Sequence, residues 1–107
     1  MFIVYDSLSS KYHCGHIEGS LPYRCENNLA DCESKCTSFS WCVGYSTDGD
    51  LGCALISSSG WCPDGWSEST GPTATSSDDL IASNFSGFSC KVKVIGMVYD
   101  NGLQVSF

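Results

Sequence analysis

Eight cysteines in a chain of 107 residues, at positions 14, 25, 32, 36, 42, 53, 62 and 90, constrain the fold more than any other feature. So dense and even a set reads as a disulfide framework closed in an oxidising compartment, which makes the expected location extracellular, secreted or at the cell surface. Zinc is the competing use of clustered cysteines, and spacing separates the two. Structural zinc sites bring ligands together as short knuckles, twice over. Only Cys32 and Cys36 come close to that, and no second pair follows. His13 and His16 bracket Cys14 but read as an exposed pair on a strand end, so neither a metal nor any other cofactor is expected.

A chain of this length buries a modest core, and each cross-link adds about 3 to 4 kcal/mol in the loop-entropy model. Acidic residues outnumber basic ones 12 to 5, for a formal net charge of −7. That balance argues against nucleic acid and against anionic membrane surfaces, because both require a basic face. No apolar run reaches the roughly 18 residues of a membrane span, so no membrane insertion is expected. The opening Met1-Phe2-Ile3-Val4-Tyr5 is too short for a signal peptide and lacks its basic start and cleavage site.

One segment has helical periodicity. Leu29, Cys32, Cys36 and Phe39 recur on one stripe, and Asn28 with Asp31 resembles a capping box, which predicts a helix over 29–38. Asp31 and Glu33 suit its positive end, and Lys35 lies toward the other. The rest reads as strand and turn. Trp41 to Ser46 and Cys53 to Ile56 form an expected hairpin around the turn residues Asp48, Gly49, Asp50 and Gly52. Cys90 to Tyr99 is the longest strand candidate. Asp100-Asn101-Gly102 ends it with a strong hairpin signal, and Leu103 to Phe107 would return. The expected organisation is a single α+β domain, with apolar terminal strands 1–5 and 94–107 outside the cysteine framework.

Residues 57–79 are rich in Ser, Thr, Gly, Pro and Asp and read as a solvated loop. Within it, Thr70, Thr73 and Thr75 are candidate acceptors of O-linked sugars. Asn84-Phe85-Ser86 is the one sequon, which makes Asn84 a candidate N-glycan site. Asp48, Asp50, Asp78 and Asp79 read as turn-forming carboxylates in preference to calcium ligands.

The segment 28–56 resembles the PAN/apple family of extracellular modules. The elements that carry the likeness are a helix bearing Cys32 and Cys36, then Cys42, Tyr45 and Cys53-Ala54-Leu55. The resemblance implies a short helix packed on a curved antiparallel sheet, with Cys32 bonded to Cys53 and Cys36 to Cys42. It also favours Cys14 with Cys90, leaving Cys25 with Cys62. The exchange of these four, Cys25 with Cys90 and Cys14 with Cys62, stays open. The extra cysteine pair, the Ser/Thr-rich insertion and the C-terminal hairpin depart from the family's pattern.

Enzyme motifs are missing: there is no G-x-S-x-G, no H-E-x-x-H and no P-loop, and every cysteine is better used in a bridge than as a nucleophile. A non-enzymatic protein is expected. Phe2, Ile3, Val4 and Tyr5 at one end, and Leu103, Val105 and Phe107 at the other, are apolar and β-prone. Such strands either pair with each other or complete the sheet of a neighbouring copy. Head-to-tail pairing of the second kind builds a filament. The expected partners are therefore copies of the chain itself, in an extracellular fibre or matrix. The alternative is a recognition module binding a glycan or protein, with Trp61 and Trp66 as stacking platforms or, more simply, as a lid over the core.

Overall fold

A computed structural model describes residues 2–48, 52–98 and 104–105, the last two and 97–98 at backbone level. In chain order the elements are β1 (Phe2–Ser9), β2 (Tyr12–His16), β3 (Arg24–Asn27), α1 (Cys32–Ser38), β4 (Cys42–Thr47), β5 (Cys53–Ser57), β6 (Ser67–Ser69), a 3-10 turn (Ser77–Asp79), β7 (Leu80–Ser86), β8 (Ser89–Val98) and β9 (Gln104–Val105). The main sheet runs β1-β8-β4-β5-β3-β6, with β9 also on β8, while β2 and β7 form a separate two-stranded sheet. Among the described residues every pairing is antiparallel. The chain is thus a small disulfide-rich domain of antiparallel sheet with one short helix.

The main sheet is buried on both faces because successive side chains of a strand point oppositely. Leu55 joins Tyr45, Cys32, Cys36, Cys42 and Cys53 under the helix, whereas its neighbour Ile56 joins Cys14, Ala74, Leu80, Cys90 and Val92 under the β2–β7 pair. Burying a side chain such as Leu55 or Ile56 contributes about 1.5–3 kcal/mol. Close approach of the second layer depends on Gly44, where a Cβ would meet Lys91 O at 2.8 Å and Leu80 Cδ1 at 3.1 Å.

The disulfides join Cys14 to Cys90, Cys25 to Cys62, Cys32 to Cys53 and Cys36 to Cys42, the pairing that the PAN/apple resemblance implies. The first ties β2 to β8 and so fastens the small sheet to the large one. The third and fourth fasten α1 to β5 and to the start of β4.

Several expectations need correcting. The helix starts at Cys32, three residues after Leu29, and Asn28 is not its cap: Asp31 occupies that place in left-handed backbone (φ 60°) without a side-chain cap bond. The reason is tertiary. The β3–β5 ladder continues to Asn27↔Cys53, and a Cβ on Gly52 would meet Asn27 O and Asn28 Cα at 2.6 and 3.1 Å, so Asn28 is packed along β5. At the other end Phe39 is the C-cap. Lys93, buried beneath it, donates Nζ to the carbonyls of Cys36 (2.7 Å) and Phe39 (3.0 Å). Each carbonyl also accepts a backbone N–H, Cys36 O from Phe39 (3.3 Å) and Phe39 O from Cys42 (3.0 Å), so the ammonium is a second donor at the helix end; burial lowers its pKa.

The expected loop at 57–79 contains strand β6 and the 3-10 turn, because Ser67–Ser69 pairs with Arg24–Glu26 and the Ser76 hydroxyl accepts from Asp78 N–H. The expected hairpins are present as β4–β5 and β8–β9, although 49–51 and 99–103, with Leu103, lie outside the described residues, as does Phe107.

Candidate interaction surfaces

The apolar N-terminal strand pairs within its own chain. The register Ile3↔Ile95, Val4↔Val94 and Tyr5↔Lys93 puts β1 at one edge of the main sheet. Its helix-side residue Tyr5 packs into the helix-side core of its own chain. The ring packs edge-on to Tyr45 at 5.4 Å and the hydroxyl shares a 2.9 Å hydrogen bond with Thr37 Oγ1. Tyr45 in turn donates to Glu33 Oε1 at 3.1 Å. Burial, joined by the nearby Glu33 carboxylate, raises both phenol pKa values, so the two hydroxyls stay neutral clamps between sheet and helix. Phe2 and Ile3 are half-buried, Val4 is 42% exposed, and Leu8 and Ile95 are exposed. On the face opposite the helix, Asp6, Leu8, Val43 and Val94 line a groove of about 770 Å³ that the 75–78 segment borders. Among the described residues no strand pairs with the outer edge of β1. The C-terminal counterpart Val105 lies in β9, opposite Met97.

The opposite edge has other chemistry. β6 is Ser67-Glu68-Ser69, and its side chains turn back onto the sheet: Tyr23 donates to Glu68, and Ser69 to Glu26. The Glu68 carboxylate pushes the Tyr23 phenol up to about 12.

The tryptophans divide between the two roles considered for them. Trp66 is half-buried and meets Phe39 edge-on at 6.2 Å, while Trp41 stacks on Phe39 at 4.7 Å, so these rings cover the helix-side core. Trp61 is 56% exposed. Its carbonyl accepts from Ser57 Oγ at 3.1 Å and Ser59 Oγ at 3.4 Å, and the next residue, Cys62, is bonded to Cys25, so the indole projects from an anchored turn.

The histidines are not exposed: His13 and His16 have 2% and 4% of their surfaces accessible. Both sit in β2, which β7 covers on one side and which is joined to β8 through Cys14–Cys90. His13 Nδ1 donates to Cys14 O at 2.8 Å, its ring contacts Phe88 and Phe85, and burial lowers its pKa. His16 Nδ1 accepts the Glu18 N–H at 3.1 Å, leaving Nε2 to face Thr73 O at 3.4 Å. Among the described residues no group of three or more His, Cys, Asp or Glu side chains could hold a metal ion.

Of the sugar-acceptor candidates, Thr70 and Thr73 are exposed. Thr75 is exposed too, but its hydroxyl and its N–H both donate to Asp79 Oδ2 at 2.9 Å, bonds that lower the Asp79 pKa and fix the 3-10 turn. Asn84 lies in β7, a strand that the Ser- and Asn-rich sequence around it concealed; the signal was the capping Ser76 followed by Leu80-Ile81 and Phe85. Asp50 is outside the described residues. No helix of the described residues is long and apolar enough to cross a membrane.

No protein-family model, no curated protein and no solved structure matches this chain.

Proposed function

We propose that the protein is a non-enzymatic extracellular subunit that builds a fibre or matrix by lending its first strand to the sheet of a neighbouring copy. The observation that carries this reading is the position of β1. It is an eight-residue apolar edge strand that ends five residues before the first cysteine, so no disulfide restrains it. Every bridge lies within 14–90, and β1 is held to β8 by ladder hydrogen bonds and side-chain packing alone. In an exchanged arrangement β1 of one copy makes those same contacts on β8 of the next. The bonds lost and gained are equivalent, and one lender and one acceptor per copy leave the chain open-ended. Four disulfides in so small a chain agree with assembly in an oxidising compartment.

The test is removal of residues 1–5. The full chain should form large particles by electron microscopy and light scattering, and the truncated chain should remain disulfide-bonded and monomeric. A full chain that stays monomeric at high concentration, or a truncated chain that still polymerises, contradicts the reading.

A second reading is a PAN/apple-like recognition module for glycans, favoured by one observation, the exposed Trp61 indole on its anchored turn. Trp61→Ala should then abolish retention on a glycan array while leaving the fold intact.

A further inference from the structure

The β2–β7 pair is interrupted at the sequon. Its register runs Tyr12↔Ser86 and then Cys14↔Ala82, so His13 alone faces the three residues Ser83, Asn84 and Phe85. β7 therefore bulges outward, and Phe85 N–H closes on Ser83 Oγ at 3.1 Å within the bulge. Bulges of this kind leave their extra residues outside the ladder and re-aim their side chains. Asn84, Phe85 and Ser86 are all exposed. Gly15 makes the arrangement possible, since a Cβ there would come within 2.9 Å of Ser83 Cβ.

Beside the bulge lies an open groove of about 450 Å³ whose lining includes Leu21, Ile81, Phe85, Gly19 and Asn84. That volume falls in the range of small-molecule pockets. Apolar side chains make up most of its walls, with Phe85 54% and Ile81 44% exposed to water, and His16, Ser20 and Ser83 add polar groups. An aromatic ring beside aliphatic walls is a surface on which the C–H faces of a sugar pack.

We propose that Asn84 is an N-glycan acceptor and that the first sugars of that glycan lie along this groove. The donor is a lipid-diphosphate-linked oligosaccharide. Asn84 Nδ2 bonds to its anomeric carbon, the anomeric C–O bond to phosphate breaks, the lipid diphosphate leaves with the electron pair, and the amide gives up one proton. Once attached, the sugar is held at the groove's edge by a covalent tether, so its effective concentration there is high and weak packing suffices to seat it. The glycan covers an apolar face that would otherwise be open to other copies, on the layer away from the helix. The inference is independent of strand exchange through β1.

The full chain, secreted from cultured eukaryotic cells that attach N-glycans, tests it. Intact mass should exceed the 11.5 kDa of the polypeptide. Peptide N-glycosidase should remove the N-linked part of the excess and leave Asp at position 84, and Ser86→Ala should be secreted without that part. The amides of 15–21 and 81–85 should then exchange hydrogen several-fold faster in enzymatically deglycosylated wild type than in the glycoprotein. Comparing the glycoprotein with its own deglycosylated product, which differs only in the glycan and in the Asp left at position 84, keeps this arm valid whether or not the variant folds. Secreted protein without sugar on Asn84 overturns the proposal, and so does a glycan whose removal leaves exchange in the groove unchanged.

Discussion

The two edges of the main sheet solve the same problem in opposite ways. An edge strand presents unpaired backbone groups and invites other chains, and proteins commonly blunt such edges with short strands and charge. β6 follows that rule: it is three residues long, polar, carries Glu68, and pairs with β3, which Cys25–Cys62 staples. β1 breaks it: eight residues, four of the first four apolar or aromatic, with the first disulfide anchor still to come. The difference shows where covalent restraint was placed. One edge is short, polar and stapled, and the other is apolar and carries no disulfide.

The largest expected effect comes from unlocking the stapled side. Replacing Cys25 and Cys62 with Ser releases a bridge with a sequence separation of 37, and in the loop-entropy model this costs about 4 kcal/mol, seen as a lower denaturant midpoint. A loss much below that would mean that the β6 side is held mainly by packing. Next is Gly71→Ala. A Cβ at Gly71 would run into the Leu21 carbonyl, where the chain leaving β6 passes the β2–β3 connection. Overpacking of this kind costs about 1–3 kcal/mol, measurable by thermal unfolding.

A smaller effect is set by pH and lies in the β2–β7 layer, outside both edges. His13 has its pKa lowered beneath the ordinary 6.5 by burial. As pH falls below 6.5 the unfolded chain takes up a proton that the folded chain resists, so stability present above that pH is lost on acidification. His13→Phe should flatten this acid limb in denaturant titrations across the range, and an unchanged limb would assign it to other groups. The smallest effect on stability is expected from Val4→Lys on the open edge. The fold should shift by no more than about 0.5 kcal/mol, yet assembly should be suppressed, as a lysine blunts an edge strand. Placing Lys at Ser67 on β6 should leave assembly untouched.

The cysteine framework was readable because number and spacing survive any packing. β8 and the β4–β5 hairpin were readable for a related reason: Lys91-Val92-Lys93-Val94-Ile95 is β-branched with alternating lysines, and Cys53-Ala54-Leu55-Ile56 is an apolar run next to turn residues. Local signals misled where tertiary pairing overrode them. Asn28 has the chemistry of a cap, but the β3–β5 ladder claims the backbone beside it. β3 and β7 were hidden because Arg24-Cys25-Glu26-Asn27 and Ala82-Ser83-Asn84 show no apolar alternation; their strands exist through partners supplied by distant sequence. Burial of His13 and His16 was invisible for the same reason, since β7 and β8 arrive from more than sixty residues away. Of the candidate surfaces, the apolar character of β1 could be seen from Phe2-Ile3-Val4-Tyr5. Which of those side chains turns inward could not, because Tyr5 is directed by its register with Lys93 and its contact with Tyr45.

Strand exchange is tested most directly by asking whose β1 lies on whose β8. Assemblies grown from an equal mixture of chains labelled only with ¹⁵N and chains labelled only with ¹³C permit solid-state NMR transfer solely between copies. The account predicts cross-peaks linking the backbone of Ile3–Tyr5 in one copy to that of Lys93–Ile95 in another. Assemblies in which those mixed-label peaks are absent, with the β1–β8 contacts appearing only in uniformly labelled chains, would contradict it.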